Sequence, residues 1–282
     1  RKNKNMILKL KDISSYRINW NNKADNIREI SEELNVNLDS IVFLDDNPAE
    51  RDLVKKNLPQ VSVLEVGDDP SNYLEFIISN GTFEINSFSN SDKFRTQTYN
   101  ANVKRTKLKS KTIDYNQYLK KLEMRAKFEK VTNKDYERII QLYNRTNQFN
   151  LTTKRIDIKS LKKIMCSESH EIYKVSFTDK FSDYGIISSI IVKFYKNRLL
   201  IDNWVLSCRV FGRQIEEFIL NKIILSAKKS KIKIIESNYI KSNKNIIIPD
   251  IYTRLNFKKE KNKYIFKLAD NISHLNNYIN LK

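Results

Sequence analysis

One short segment concentrates residues that could do chemistry. Ser207-Cys208-Arg209-Val210-Phe211-Gly212-Arg213-Gln214 lies between an apolar run that ends at Leu206 and an amphipathic run that starts at Ile215. A strand, a turn and a helix in this order present backbone N–H groups at the positive end of the helix, which suits a pyrophosphate or the phosphate of phosphopantetheine. Glycine at position 212 permits close approach of the backbone. A plain glycine-containing turn explains the same pattern, and both interpretations stay open here.

Cys208 is the candidate nucleophile of this segment. It neighbours Arg209, lies near Arg213, and precedes a helix N-terminus. Cationic neighbours and helix N-termini favour the thiolate, which is the reactive form of cysteine. The alternative is an inert packing role, since cysteine is among the most buried residue types.

The other cysteine and the histidines give weaker signals. Cys166 and His170 are four positions apart, with no third catalytic group in the pattern, and His274 belongs to a polar stretch that we expect to be solvated. Two cysteines and two histidines supply neither paired C-x-x-C zinc clusters nor a disulfide framework.

Two adjacent carboxylates, Asp45 and Asp46, follow the apolar run Ser40-Ile-Val-Phe-Leu44. Carboxylates at the carboxyl end of a strand occupy the place where open α/β sheets bind ligands, and oxygen ligands suit Mg²⁺. The sequence Asp45-Asp46-Asn47-Pro48 is equally typical of a turn that ends a strand.

A third polar group consists of amide and hydroxyl side chains: Asn147, Gln148, Asn150 and Thr152. They suit hydrogen bonds to a small hydroxylated acyl group or to the amides of pantetheine. Capping of the loop that follows a helix is the alternative role.

Hydrophobic periodicity predicts two α/β regions that position these groups. The order α-β-α-β-α over the first 78 residues indicates part of a parallel sheet. A basic helical connector is predicted for residues 91–122. After it we predict strands at 124–131, 172–177, 186–194, 199–206, 232–236 and 264–268, and helices at 136–143, 158–165, 215–227 and 243–255. Thr132-x-x-Asp135 resembles a capping box before the first of these helices.

Composition limits the function classes. The chain has 282 residues, 52 Lys+Arg and 33 Asp+Glu, for a net charge of +19. Through Asn90 there are 11 basic and 15 acidic residues; from Ser91 onward there are 41 and 18. A basic surplus suits an acidic partner, although an A+T-rich genome would produce the same Lys, Asn and Ile excess. No RNP-like or helix-turn-helix pattern occurs, so nucleic acid as a partner is a minor hypothesis.

The four glycines are widely spaced, so the sequence contains neither a G-x-G-x-x-G dinucleotide-binding motif nor a P-loop.

The N-terminal region resembles a known enzyme family. Asn19-Trp20-x-x-Lys23-x-x-Asn26-Ile27, followed by Phe43-Leu44-Asp45-Asp46-Asn47-Pro48-x-Glu50-Arg51, is similar to two motifs of HAD-like phosphatases of subfamily IIIC. The resemblance implies that Lys23 orients a phosphate and that Asp45 and Asp46 hold Mg²⁺. The D-x-D nucleophile motif of such enzymes is not found in this sequence, which starts at Arg1. We therefore expect a truncated HAD-like piece without phosphatase activity.

The C-terminal region resembles GNAT-like acyltransferases, and the two regions together resemble the FkbH-like family. The segments that carry the resemblance are Asn147-Gln148-Phe149-Asn150-Leu151-Thr152-Thr153-Lys154-Arg155 and Ser207–Arg213. Arg209-x-x-Gly212-x-Gln214 is similar to the acyl-CoA motif, with Gln214 where a second small residue is usual. Asn245 and Tyr252-x-x-Leu255-Asn256-Phe257 are similar to the final GNAT motif. The resemblance implies that Tyr252 is the general acid to a leaving thiolate and that Asn245 helps to bind CoA or phosphopantetheine.

These observations predict a partial HAD-like parallel-sheet piece (1–90), the connector (91–122), a GNAT-like α/β domain (123–270) and a C-terminal tail (271–282). The implied function is transfer of a small glyceryl-type acyl group to the phosphopantetheine thiol of an acidic acyl carrier protein, through Cys208. The rivals are an N-acyltransferase with an amine acceptor and a non-catalytic docking module for a carrier protein. No secretory signal or 18-residue apolar run occurs, which predicts a cytoplasmic protein without a membrane span.

Overall fold

The computed structural model describes residues 7–34, 36–67, 69–79, 81–84, 95–261, 263–268 and 275–281. The chain forms two compact units, Arg1–Lys111 and Thr112–Lys282. The predicted connector contributes one helix to each unit. The predicted α/β fold class is confirmed, because each unit combines helices with a sheet that contains parallel strands.

The helices are α1 Lys23–Leu34, α2 Pro48–Asn57, α3 Tyr73–Ser79, α4 Arg95–Ser110, α5 Tyr115–Lys121, α6 Tyr136–Arg145, α7 Ile158–Met165, α8 Ile215–Lys229 and α9 Ile248–Arg254. The strands are β1 Val42–Phe43, β2 Ser62–Val63, β3 Arg125–Lys130, β4 His170–Asp179, β5 Ser182–Tyr195, β6 Arg198–Leu206, β7 Ile234–Asn238, β8 Lys258–Glu260, β9 Lys263–Lys267 and β10 Asn280–Leu281.

The first unit is built around a short parallel sheet. β1 pairs with β2 through Val42 opposite Ser62 and Phe43 opposite Val63. Apolar side chains from α1, α2 and the segment before β2 form its core: Ala24, Ile27, Val54, Leu58 and Val61. α2 starts where it does because the Asn47 side chain accepts a hydrogen bond from the Ala49 amide and Pro48 occupies the first turn. Asp45 and Asp46 therefore lie between the end of β1 and the start of α2.

The second unit contains an eight-stranded sheet in the order β10-β3-β4-β5-β6-β7-β9-β8. The strands from β3 to β6 form an antiparallel meander, whereas β6 and β7 are parallel and α8 connects them. A cluster that includes Ile139, Tyr143, Leu161, Ile191 and Val205 packs α6 and α7 against the meander. The long apolar run in β5 fits this central position, where both faces of the strand are covered.

β6 and β7 diverge halfway along β6. Their pairing runs from Arg198–Ile234 to Ile201–Ser237 and ends there. At the same point β6 contains a β-bulge, because Ile191 pairs with Asn203 and Val192 with Ile201, which leaves Asp202 as the extra residue. Bulges bend a strand and redirect its side chains, and they are frequent next to active sites.

The chain's own segment 149–151 bridges the two diverging strands. The Leu151 amide donates to the Trp204 carbonyl (3.2 Å), and the Ile240 amide donates to the Leu151 carbonyl (2.9 Å). The Leu206 amide also donates to the Phe149 carbonyl (3.1 Å). Phe149 packs its ring edge-on against Trp204 with 5.1 Å between centroids. The edge of β6 at residues 204–206 is therefore already occupied by backbone partners.

The C-terminal segment differs from the predicted polar tail. β10 pairs in parallel with β3, and the Asn221 side chain exchanges two hydrogen bonds with the backbone of Leu275 (2.8 and 2.9 Å). Residues 275–281 thus belong to the second unit, while His274 lies outside the described residues. In the part of the chain that the structure describes, no helix is long and apolar enough to cross a membrane.

Candidate functional site

The turn between β6 and α8 contains two residues with positive φ. Gly212 has φ +68° and Gln214 φ +58°, both in the left-handed region that glycine adopts without strain. The Tyr115 hydroxyl donates a hydrogen bond to the Gly212 carbonyl. A Cβ added at Gly212 would lie 3.4 Å from that hydroxyl oxygen. An alanine at position 212 would therefore be strained by the backbone angle, and its Cβ would lie close to the Tyr115 hydroxyl.

The backbone amides of this turn divide into two groups. Val210 donates to the Ser207 carbonyl and Phe211 to the Cys208 carbonyl, both at 3.2 Å. These two amides are used inside the turn, so the predicted cofactor contact of Val210 and Phe211 stays a prediction that this geometry does not favour. Gly212, Arg213, Gln214 and Ile215 donate to no backbone carbonyl among the described residues. Four consecutive amides at a helix N-terminus are thus available to an acceptor.

Cys208 begins the short 3-10 helix Cys208–Val210 that precedes these amides. Its side chain is half-buried and forms no disulfide. The Arg209 side chain is also half-buried, and its Nε donates to the Ser207 hydroxyl at 3.2 Å. Cys208 is therefore not sealed inside the hydrocarbon core, and a guanidinium follows it in the chain.

Arg213 has a different environment from the one predicted. Its guanidinium is buried, lies 3.3 Å from the Asp179 carboxylate, donates to the Arg209 carbonyl (2.7 Å), and packs over the Tyr184 ring at 4.9 Å. Burial lowers the pKa of Arg213, and the charge of Asp179 opposes this effect. The side chain anchors the turn to the β4–β5 hairpin, and its guanidinium is engaged with protein groups.

Two of the predicted substrate-binding residues lie beside the β6 bulge. Asn150 forms an antiparallel bridge with Val205, and the Thr152 amide donates to the Asn203 side chain at 3.3 Å. Asn150, Thr152 and Asn203 are at least nine-tenths buried. Three of their polar atoms have no hydrogen-bond partner among the described residues: Asn150 Oδ1, Thr152 Oγ1 and Asn203 Nδ2. Buried polar atoms without partners are costly, so they mark a place where a polar ligand or water is expected.

Asn203 is a site residue that sequence reasoning missed. Its Oδ1 accepts from the Thr152 and Trp204 amides (3.3 and 2.9 Å), which fixes the orientation of the amide and leaves Nδ2 as the group without a partner. A lone asparagine inside an apolar strand, Ile201-Asp-Asn-Trp-Val-Leu206, was the only signal in the sequence.

Asn147 and Asn245 both form hydrogen bonds with other groups of the protein. The Asn147 Oδ1 accepts from the Arg155 guanidinium at 2.5 Å, whereas Gln148 is half-buried. The fully buried Asn245 side chain donates to the Asn150 and Ile240 carbonyls (3.0 and 2.9 Å) and accepts from the Ser242 amide (2.7 Å). Both polar atoms of Asn245 are therefore used, and its predicted cofactor contact stays a prediction that this geometry does not favour.

Tyr252 lies in α9 and is fully buried. Its hydroxyl pairs with the Ser237 hydroxyl, and its ring stacks on Tyr264 with 4.3 Å between centroids. Burial raises the pKa of the phenol well above its ordinary value. Ser237 is the last β7 residue that pairs with β6, so Tyr252 lies at the point where the two strands diverge. Its role as general acid stays a prediction.

The first turn of α8 carries two buried carboxylates that the sequence analysis did not single out. Glu216 and Glu217 are 3% and 7% exposed. Arg254 of α9 pairs with both, at 3.4 Å to Glu216 Oε1 and 2.8 Å to Glu217 Oε1. The second carboxylate oxygen of each has no hydrogen-bond partner in the part of the chain described. Acidic residues are common at helix N-termini, so their burial could not be recognised from sequence.

Burial gives Glu216 a measurable effect on stability. Burial raises the pKa of its carboxyl to about 7 from an ordinary 4.5, against the attraction of Arg254. The folded state therefore holds a proton that the unfolded state releases, and stability should fall as the pH rises from 4.5 to 7. We expect Glu216→Gln to remove about 2 kcal/mol of this decrease in the free energy of unfolding. Urea titrations at pH 5 and pH 7.5 measure the free energy of unfolding of both proteins. If the decrease between the two pH values is the same in Glu216→Gln as in the unmodified chain, the raised pKa of Glu216 is contradicted.

In the first unit, Lys23 and Asp45 form an ion pair, while the roles that the resemblance implies for them stay predictions. Lys23 Nζ lies 2.9 Å from Asp45 Oδ2, and Asp45 Oδ1 accepts from the Asn47 amide at 2.9 Å. Burial of Asp45 opposes its ionisation, but Lys23 and the Asn47 amide outweigh it and lower the pKa of the carboxyl. The buried Arg51 donates to the carbonyls of Asp45 and Asp46 (2.8 and 3.0 Å) and fixes this loop.

These residues do not form a complete magnesium site. Both oxygens of Asp45 have partners, and no group of three or more His, Cys, Asp or Glu side chains that could hold a metal occurs among the described residues. Mg²⁺ requires near-octahedral oxygen coordination, which Asp45 and Asp46 do not provide by themselves.

The weak Cys166–His170 pair is not formed as a hydrogen-bonded dyad. His170 Nδ1 lies 2.8 Å from the Ser167 hydroxyl and 3.0 Å from the Ser169 hydroxyl, while Cys166 is exposed at the end of α7. The contacts close the turn before β4.

Comparison with known proteins gives likenesses to a phosphatase domain and to acetyltransferases. No protein-family model and no curated protein matches the sequence. Among solved structures, the N-terminal part of BF1531 from Bacteroides fragilis, which contains a phosphatase domain and was solved in complex with Mg, is 50% identical, covers 31% of this chain and has a TM-score of 0.30. The chain spans 23% of the length of that structure.

Acetyltransferase structures each cover about half of the chain. The ribosomal-protein-S18-alanine N-acetyltransferase from Escherichia coli is 10% identical over 52% of this chain and 99% of its own, with a TM-score of 0.40. The GNAT domain of PAT from S. lividans is 12% identical over 52% of this chain and 95% of its own, with a TM-score of 0.41. The neighbours thus include a phosphatase domain and GNAT acetyltransferases, while the FkbH-like combination stays a prediction.

Proposed function

We propose that the second unit is an acyltransferase that moves a small hydroxylated, glyceryl-type acyl group to the phosphopantetheine thiol of an acidic acyl carrier protein. The observation that carries the proposal is the set of polar groups at the end of β6. There, Cys208 and four available amides (Gly212 to Ile215) follow the strand, and the three buried unpaired polar atoms belong to Asn203 of the strand and to Asn150 and Thr152 of the segment beside it. Such convergence of a nucleophile with donors is typical of acyl-transfer sites.

The chemistry proceeds in two balanced steps. The Cys208 thiolate attacks the carbonyl carbon of an acyl phosphate; the S–C bond forms, the C–O bond breaks, and phosphate leaves with the electron pair. The pantetheine thiol then releases its proton to water, and the resulting thiolate attacks the thioester carbonyl carbon; the pantetheine S–C bond forms, the Cys208 S–C bond breaks, and Cys208 leaves as thiolate with the electron pair. Backbone amides near the turn suit the pantetheine carbonyls, and Asn203 Nδ2 with Thr152 Oγ1 suits the hydroxyls of the acyl group.

Because 41 basic and 18 acidic residues occur from Ser91 onward, the second region has the charge that an acidic carrier protein would complement. Binding through such complementary charges should weaken as salt rises. The binding of an acidic carrier protein supports this part of the proposal if it decreases between 50 mM and 500 mM NaCl.

A transfer assay tests the proposed function. The full chain is incubated with a radiolabelled acyl phosphate of a small hydroxy acid and with a pantetheinylated carrier protein. The proposal is supported if the label moves to the carrier protein and hydroxylamine, which cleaves thioesters, releases it. Label on an added amine instead would favour the N-acyltransferase, and salt-sensitive binding of the carrier without transfer would favour the docking module.

A further inference from the structure

Two loops of the second unit are joined by hydrogen bonds. Residues 149–156 belong to the connection between α6 and α7, and residues 239–247 connect β7 to α9. The Ile240 amide of the second loop donates to the Leu151 carbonyl of the first at 2.9 Å. The Asn245 side chain adds a hydrogen bond of 3.0 Å to the backbone of the first loop. We call these two segments the loop pair.

The loop pair adjoins the end of β6. Its first loop contains Asn150 and Thr152, whose buried side chains each keep a polar atom without a partner among the described residues. The centroid of the Phe149 ring in the same loop lies 6.3 Å from that of Phe211, in the turn that contains Cys208. A protein bound to the loop pair would therefore lie next to the proposed transfer site.

The charged residues of the loop pair are all basic. The two loops contain no Asp or Glu and four exposed cations: Lys154, Arg155, Lys241 and Lys244. Neither Lys154 nor Lys241 forms an ion pair with a described residue. The Arg155 guanidinium donates to backbone carbonyls and to the Asn147 side chain, not to a carboxylate. These cations are therefore available to the carboxylates of a partner.

Neighbouring elements do not cancel this charge. The turn before α8 adds the half-buried Arg209, while the buried Glu216 and Glu217 face the guanidinium of α9. The nearest carboxylates along the chain are Asp157, which caps α7, and Asp250 of α9. All these groups and the loop pair together have six cations and four carboxylates, so the net charge stays positive even with every group ionised.

The loop pair also exposes apolar side chains and contains a strained residue. Ile240 and Ile246 are 50% and 61% exposed. Thr153, which precedes Lys154, has φ +57°, an unfavourable angle for a β-branched residue. Strain of this kind is frequent at ligand-binding sites. Exposed apolar groups among cations suit a partner surface that is acidic and carries apolar side chains.

We infer that the loop pair is the docking surface for the acidic face of the carrier protein, with Lys154 and Lys241 as its charged contacts. This inference rests on the proposed function for the identity of the partner. It places the carrier where β6 and β7 diverge, beside Cys208.

Transfer kinetics with two acceptors test the inference. The full chain transfers a labelled acyl group either to a pantetheinylated carrier protein or to free pantetheine, which has no acidic protein surface. In Lys154→Glu/Lys241→Glu, KM for the carrier should rise at least about 10-fold, because like charges then face each other. KM for pantetheine should stay within about 2-fold. An equal rise with both acceptors would overturn the inference, since the lysines would then act on transfer itself.

The matched control is Lys228→Glu/Lys229→Glu. Both lysines are exposed in the last turn of α8, whose 15 residues span about 22 Å and separate them from the Gly212 turn. The two double variants have the same net charge, so their long-range attraction to an acidic partner falls equally. The control should change KM for the carrier by less than about 3-fold. Equal increases in both variants would overturn the docking surface.

Surface plasmon resonance with immobilised carrier protein separates this inference from the proposed function. Carrier binding that Lys154→Glu/Lys241→Glu weakens, without any transfer by the unmodified chain, would support the docking surface and overturn the acyltransferase. Transfer that continues while this variant binds the carrier normally would overturn the docking surface alone. An unmodified chain that binds RNA but no carrier would overturn both. Thermal denaturation of each variant confirms that it is folded.

Discussion

Replacing Cys208 with alanine is expected to reduce acyl transfer to a carrier thiol by at least about 1,000-fold, because the covalent intermediate cannot form. Cys208 is half-buried at the start of a 3-10 turn, so removal of its sulfur leaves the surrounding backbone hydrogen bonds in place. We therefore expect the variant to bind phosphopantetheine as the unmodified chain does. Single-turnover assays with labelled acyl phosphate measure the rate.

Cys166→Ala is the matched control, since Cys166 is exposed and belongs to the loop after α7. It should retain full transfer activity. Undiminished transfer in Cys208→Ala would show that the thiol is not the tether. In that case, direct transfer to an amine or a thiol acceptor would explain the activity.

Replacing Gly212 with alanine is expected to weaken phosphopantetheine binding by about 100-fold, since small displacements of positioning groups have effects of this size. The alanine would have to adopt φ +68°, which disfavours any residue with a Cβ. That Cβ would also lie close to the Tyr115 hydroxyl, which donates a hydrogen bond to the carbonyl of residue 212. A change in the backbone angle, or a shift away from the Tyr115 hydroxyl, would rotate the peptides that carry the available amides. Calorimetric titration with 4′-phosphopantetheine measures the change.

Gly185→Ala separates backbone strain from the site effect. Gly185 has a similar angle, φ +60°, and an added Cβ there meets no atom within 4 Å. Both variants should lose about 1–2 kcal/mol of stability from the positive φ, but only Gly212→Ala should lose affinity. Equal affinity of both variants would mean that the turn does not hold the pantetheine arm.

Elements with strong local signals could be predicted from the sequence. The helix predicted at 158–165 has the observed bounds of α7, and the capping box predicted at Thr132 and Asp135 is formed. Helix α8 begins directly after the Gly212 turn, as the sequence indicated. In each case the residues that determine the element lie within a few positions of it.

Features that depend on distant partners could not be predicted. The strands β8 and β10 are short and polar, and they form only because β9 and β3 supply pairing partners. The bulge at Asp202 depends on the register between β5 and β6. A two-residue period identifies a strand but not the position at which its register shifts.

The candidate site also combines features that the local sequence predicts with features that depend on distant residues. The sequence identified Cys208, Gly212, Asn150 and Thr152 from residue type and spacing, and the structure brings them to the end and the outer edge of β6. Arg213 looks like an exposed cation in the sequence, but its partner Asp179 is 34 positions away and buries it. Glu216 and Glu217 look like ordinary first-turn acids until α9 supplies Arg254.

The covalent state of Cys208 is the most direct test of the central claim. The full chain is mixed with an acyl phosphate of a small hydroxy acid, and the intact protein and its tryptic peptides are weighed by mass spectrometry. We predict an added acyl mass on the peptide that contains Cys208, which disappears when a pantetheine thiol is added. An unmodified Cys208 peptide under conditions in which the carrier thiol becomes acylated would contradict the account.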